Sequence, residues 1–174
     1  MGRHLQKLYD YCGALAGGLI LCICVLISAQ IVLNAFGRFS PGTFPSTIPS
    51  YANFSGYMLA GATFLALAHT LRSGGHIRVN LITTRMPIRV RFVVEGFTLI
   101  VAAALIGYAT WFMGNLVLES VHYGDVSTGI VPIPLWIPQS AATFGIGLLL
   151  VALVHTFVDL LKAGQPILSS PDEV

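Results

Sequence analysis

Charge is what this sequence has least of. Asp, Glu, Lys and Arg together make up 9% of its 174 residues, where a soluble domain carries about a quarter. So few charges cannot clothe a globular surface. With 55% hydrophobic residues and a mean hydropathy of +0.80, the solvent around most of the chain is lipid. The net charge of +2 gives no argument for a nucleic-acid partner. Cysteine is scarce too: Cys12, Cys22 and Cys24 all lie in or beside the first apolar run, and none lies in a loop. That placement argues against a disulfide framework. Missing as well are a phosphate loop, a zinc spacing such as HExxH and a nucleophile elbow, so no signature of an enzyme is present. The chain is too short for two soluble domains, and residues 1–174 read as one membrane domain.

What is present is apolar length. Four stretches stand out, at about 12–34, 51–71, 93–118 and 135–161. Each has about 20 residues or more, enough to cross ~30 Å of hydrocarbon at 1.5 Å per residue. A lipid-exposed span must satisfy its own backbone, so the expected fold is an all-α membrane protein with four transmembrane helices. The first run is too long for the apolar core of a signal peptide and reads as a retained span.

The few basic residues are placed unevenly. Arg72, Arg78, Arg85, Arg89 and Arg91 crowd the connection 72–92, out of nine Lys and Arg in the whole chain. With the N-terminus in the cytoplasm, Arg3, Lys7, these five and Lys162 all fall inside, and Arg38 alone falls outside. This asymmetry over short loops predicts two cytoplasmic termini. Residues 163–174 read as a polar tail. The two external stretches, FGRFSPGTFPSTIPSY and ESVHYGDVSTGIVPIPLWIP, mix prolines with aromatics and read as loops at the outer interface.

No span has an acid or base near its centre, a Gly-Pro break midway or a counterpart in the other half of the chain. A transporter working alone would show such features, so this chain is not expected to carry a solute path by itself. Small residues recur at helical spacing: Gly96, Ala103, Gly107, Thr110 and Gly114 share one stripe of the third span. Such stripes let helices approach closely in lipid. They fit a bundle closed on itself or a face turned to another subunit. Arg78 and Arg85 fall among Ile77, Leu81, Ile82 and Met86 in the basic connection. They must snorkel to lipid headgroups or meet an acceptor on a partner. Glu95 stands one turn from Arg91, at the cytoplasmic mouth of the third span, and can pair with it. Arg38, Glu119 and Asp125 are the formal charges expected outside. His69 and His155 lie near the cytoplasmic ends of two spans and raise an alternative function, a haem-binding anchor of a respiratory enzyme.

Two segments carry a resemblance. LALAHTLRSGGHIRVNLI resembles the most characteristic segment of the small membrane subunit of tripartite ATP-independent periplasmic (TRAP) transporters. That family's pattern Arg-x-Gly-x-His-Ile-Arg-Val-Asp-Leu falls on Arg72, Gly74, His76, Ile77, Arg78, Val79 and Leu81, with Asn80 where the family usually has Asp. LESVHYGDVSTGIVPIPLWIPQSAATFG is similar to its second signature, a glycine-rich turn followed by Ile-Pro-x-Trp. Arg38 matches an arginine the family often has, whereas YANFSG lacks the acidic residue that often precedes its second span. The resemblance implies a bacterial inner-membrane subunit, not an enzyme and with no cofactor. It would work beside a large many-helix permease subunit and a soluble periplasmic solute-binding protein. It implies uptake of organic acids or related zwitterions, driven by a sodium gradient. With Arg72, His76 and Arg78 inside the first signature, and Arg85 and Glu95 in the basic connection and at the mouth of the third span, these five are candidates for the cytoplasmic interface or large-subunit contact. As the formal charges expected outside, Arg38, Glu119 and Asp125 are candidates for periplasmic docking.

Overall fold

A computed structural model describes residues 2–39, 47–74 and 87–164. They form four helices: α1 Gly2–Phe39, α2 Tyr51–Arg72, α3 Ile88–Tyr123 and α4 Trp136–Ala163. All four are long and apolar enough to cross a membrane. α2 is about 33 Å long at 1.5 Å per residue, just over one hydrocarbon core, whereas α1 reaches about 57 Å and α3 about 54 Å. Both long helices overrun the apolar stretches that define them in the sequence. The helices stop where the sequence stops supporting them. Gly124 ends α3 at φ 68°, a left-handed conformation that glycine adopts without penalty, and its N–H bonds to the Ser120 carbonyl. Pro138 sits in the first turn of α4, where its missing N–H leaves no helical bond unmade.

The helices do not close into a four-cornered bundle. The substantial contacts run α1 to α2, α2 to α4 and α4 to α3, so the order across the molecule is α1–α2–α4–α3. It is a single row with α1 and α3 at the edges. Burial follows that order: 44% of the most apolar window of α4 is buried, 28% of that of α2, and 6% of each edge helix.

The core is therefore a set of seams. Between α1 and α2 lie Tyr9, Cys12 and Ala16 with Ala68 and Leu71; Leu148, Leu149, Ala152, Leu153 and Leu160 of α4 carry it onward to Leu99 of α3. Small residues set the spacing. A Cβ on Gly13 would lie 2.8 Å from Cγ of His69. The tightest approach is at Gly145, where a Cβ would overlap the backbone of Phe64 and stand 2.8 Å from the Leu65 nitrogen. Here α2 and α4 meet main chain to main chain, as helices in lipid do when small residues face each other. The α3 stripe meets α4: Gly96 lies opposite Leu160 and Phe157, Gly107 opposite Leu150, and Thr110 opposite Gly147. Ala103 packs against the same core. A Cβ on Gly114 would have nothing within 4 Å.

Enlarging Gly145 must push the two backbones apart. Gly145→Val should lower stability by about 2–4 kcal/mol, near the upper end for overpacking because backbone cannot swing aside. Gly17→Ala and Gly18→Ala, where a Cβ meets nothing within 4 Å, should stay within about 0.5 kcal/mol. Unfolding midpoints in detergent would show the difference, and equal midpoints would contradict the seam.

Candidate functional site

Polar groups are rare enough here that they cluster visibly at the two ends of the row. At one end α2 finishes beside α4. Arg72 Nη1 lies 3.0 Å from Asp159 Oδ2 and donates to Thr156 Oγ1 at 3.4 Å. Thr156 is buried and passes its own proton to the Ala152 carbonyl at 2.8 Å, which leaves its oxygen free to accept from the guanidinium. His155, four residues before Asp159, brings Nε2 to 3.7 Å from the same carboxylate oxygen. The ion pair is shielded, with side chains 23% and 34% exposed. One helix pair away, His69 Nδ1 approaches Asp10 Oδ1 of α1 at 3.2 Å, although without hydrogen-bond geometry. Tyr9 is fully buried at this end, and its hydroxyl has no hydrogen-bond partner among the described residues.

Sequence reasoning did not single out Asp10 or Asp159. The available signal was the His155–Asp159 spacing of four inside VHTFVDLL, which puts an acid on a face shared with a histidine. What no local pattern shows is the partner, Arg72, 87 positions away. The structure gives Arg72 a counter-ion within the chain. Arg91 and Glu95 both sit half-buried in the first turns of α3, and both are engaged in interactions. His76, Arg78 and Arg85 lie outside the described residues.

The opposite end is a network of neutral hydrogen bonds. Gln30, buried in α1, donates from Nε2 to Thr47 Oγ1 at 3.1 Å, and its Oε1 accepts the Ile48 N–H at 2.7 Å. This ties the approach to α2 onto α1. Ser50 then takes a left-handed backbone, φ 58°, and its Oγ accepts the N–H of Val131 at 2.9 Å. Thus the α3–α4 connection is clamped to the start of α2. That connection is itself closed: Ser127 N–H bonds to the Ile133 carbonyl at 2.9 Å, and Ile133 N–H to Ser127 Oγ at 3.0 Å. Leu135 N–H bonds to the Asp125 carbonyl at 3.0 Å. Gly129 lies under Ser50 and Asn53, where a Cβ would stand 2.7 Å from Ser50 Oγ and closer still to Asn53 Nδ2.

The three expected outer charges are not brought together. Arg38 is exposed near the end of α1, at one edge of the row, and Glu119 is exposed on α3, at the other. Asp125 belongs to the loop's own architecture, because its Oδ2 accepts the Ser120 hydroxyl at 3.3 Å.

A helical row with an ion-paired end, an end closed by hydrogen bonds and, among the described residues, open edges suits an accessory membrane subunit. The family profile described as "Tripartite ATP-independent periplasmic transporters, DctQ component" matches residues 23–163, which reach into all four helices. The chain belongs to this family. DctQ components are subunits of a transporter and not enzymes, and they reside in the inner membrane as multi-pass proteins. A member takes part in a three-component system with a large permease subunit and a periplasmic binding protein. This membership displaces the haem-anchor alternative. The two histidines that prompted it each face a carboxylate on a different element, His69 toward α1 and His155 along α4. No curated protein and no solved structure matches the chain significantly.

Breaking the Arg72–Asp159 pair on one side strands a shielded charge. Asp159→Leu should cost about 1–3 kcal/mol, less than the 3–5 of a fully buried pair because both groups retain some exposure. Adding Arg72→Met to it should restore most of that loss. A double-mutant cycle on unfolding in detergent measures the coupling, and additive effects would show that the pair contributes nothing.

Proposed function

We propose that this DctQ component braces the large permease subunit in the bilayer and helps form the outer surface on which the periplasmic solute-binding protein docks. The transporter it serves takes up organic acids or related zwitterions, driven by sodium. The observation that carries the reading is the family match over a chain whose helices form an open row. Among the described residues, α1 and α3 each pack on one neighbouring helix and leave their outer faces open. The clamped loop 124–135 offers a binding protein a surface whose shape does not have to be assembled on docking, which lowers the ordering cost of the encounter.

Orientation follows from charge. Lys7, Arg72, Arg89, Arg91 and Lys162 all lie at the end of the row where α1 and α3 begin and α2 and α4 finish. The positive-inside rule puts that end, and both termini, in the cytoplasm. Exposed Arg89 and the basic connection 72–92 then meet anionic headgroups of the inner leaflet. Arg78 and Arg85, with His76, remain candidates for contact with the large subunit at that level.

Single cysteines test the orientation in a variant whose Cys12, Cys22 and Cys24 are replaced by Ala. An impermeant maleimide added to intact spheroplasts should label Val126→Cys and spare Lys162→Cys until the membrane is opened. The reverse pattern would invert the assignment.

Docking is testable at Glu119, which unlike Asp125 has no structural duty in the loop. With the full transporter in proteoliposomes, Glu119→Lys should raise the binding-protein concentration for half-maximal uptake about threefold at low salt. The curves should converge as salt shortens the screening length to ~3 Å near 1 M. Superimposed curves at low salt would remove Glu119 from the docking surface. Collapsing the sodium gradient should abolish uptake with both proteins, and persistence of uptake would remove sodium as the driving ion.

A further inference from the structure

The two edges of the row differ in chemistry. On α1 the outward side chains at mid-membrane depth are Ile20, Leu21, Val25 and Ile27. The exposed polar groups beside them are the thiols of Cys22 and Cys24 and the hydroxyl of Ser28. A serine hydroxyl can turn back to the carbonyl four residues earlier. Lipid tails solvate such a surface.

On α3 the outward arc carries Tyr108, Trp111, Phe112 and Asn115, spaced three, one and three apart and so on one face. At 100° per residue it is turned by about 120° from the small residues that meet α4. Tyr108 is 66% exposed and Trp111 70%. Glu95 and Glu119 bracket the apolar part of this helix, residues 96–118, and Tyr108 stands one residue from its midpoint. Headgroups are ~15 Å away in either direction, half the hydrocarbon thickness. Tyrosine and tryptophan ordinarily sit where the polar end of the ring reaches the interface. Here the phenol cannot. Its ring is braced by Phe112, with centroids 4.5 Å apart, and its hydroxyl has no hydrogen-bond partner among the described residues. The threonines of the same helix show the contrast. Thr98 bonds back to the Val94 carbonyl at 2.8 Å and Thr110 to the Ile106 carbonyl at 2.7 Å. A hydroxyl or N–H at the far edge of a rigid ring cannot fold back onto its own helix in this way.

In hydrocarbon an unmet donor is costly, and lipid tails offer no acceptor. We propose that this arc of α3 is the seam along which a transmembrane helix of the large permease subunit packs. That helix presents carbonyl or hydroxyl acceptors to Tyr108 and Trp111 near the middle of the bilayer. The assignment rests on the reading of this chain as the brace of that subunit, and it names α3 as the joining edge and α1 as the lipid edge. A second copy of this chain is the other occupant the test distinguishes: in a symmetric contact the arc's own acceptors, the Tyr108 oxygen and the Asn115 side-chain carbonyl, would face the same donors.

The test uses membranes that contain the chain together with its large subunit. A photoreactive benzoylphenylalanine replaces Val101 or Phe112 on the arc, or Val25 on α1, and the adducts are identified by mass after illumination. Adducts to the large subunit are expected from positions 101 and 112 and not from 25. In parallel, Tyr108→Phe, which deletes one oxygen, should weaken association with the large subunit by about 3- to 20-fold, the range of single interhelical hydrogen bonds in membranes. Membrane levels of the chain should not change. Large-subunit adducts from Val25 alone, adducts joining two copies of this chain, or adducts from the arc to lipid alone would each overturn the assignment. If the unmodified chain fails to co-purify with the large subunit, the bracing function falls as well. Co-purification with adducts in the wrong place leaves that function standing and removes only the α3 seam.

Discussion

The contact between α2 and α4 is the one on which the rest of the molecule hangs. Among the described residues each outer helix has one substantial neighbour, α1 on α2 and α3 on α4. Without the central seam the chain is two separate hairpins. Two unlike interactions hold the seam. In the middle, Gly145 lets main chains touch, which supplies the dense packing that lipid cannot replace. At the end where α2 and α4 finish, Arg72 and Asp159 close it with a charge pair that includes Thr156. The first sets how near the helices come, and the second sets how far one can slide along the other. At the other end the clamp from Ser50 to Val131 repeats the second job with neutral groups.

This division explains how so little charge suffices. Hydrophobic burial does not hold helices together inside a membrane, since tails are as apolar as leucine. Shape and a few well-placed polar contacts do. The described part of the chain places such contacts at the two ends and leaves the middle of the seams to glycine, alanine and leucine. The exposed surface is consequently apolar, and polarity on it stands out. Lipid has no use for Tyr108 at its depth.

The four helices were legible in the sequence because a span is recognised by length and apolarity alone, and both survive without an alignment. The positions of Arg38 and Glu119 near helix ends could be read the same way. The order of the row could not. A soluble helix betrays its buried face by polarity on the other, but here the exposed face is as apolar as the buried one, so periodicity is silent about neighbours. The α3 stripe from Gly96 to Gly114 was visible as a pattern, yet nothing in it named α4 as the facing element. Asp159 was hidden by its setting in an apolar run and by a partner far off in sequence. The loop 124–135 announced itself through proline and glycine. Its attachment to Ser50 and Asn53 did not, because it depends on two segments that meet only after folding.

The order of the row differs from the order of synthesis, and this bears on how the protein is made. α1 and α2 can pair as soon as they enter the membrane, as neighbouring spans with a short link. The other face of α2 is completed by α4, the last helix of the row to emerge. Throughout the insertion of α3, Arg72 waits at the membrane surface without its carboxylate, and the backbone groove at Phe64 and Leu65 waits without Gly145. A chain interrupted before α4 thus displays a lone guanidinium and an open groove on an otherwise finished hairpin.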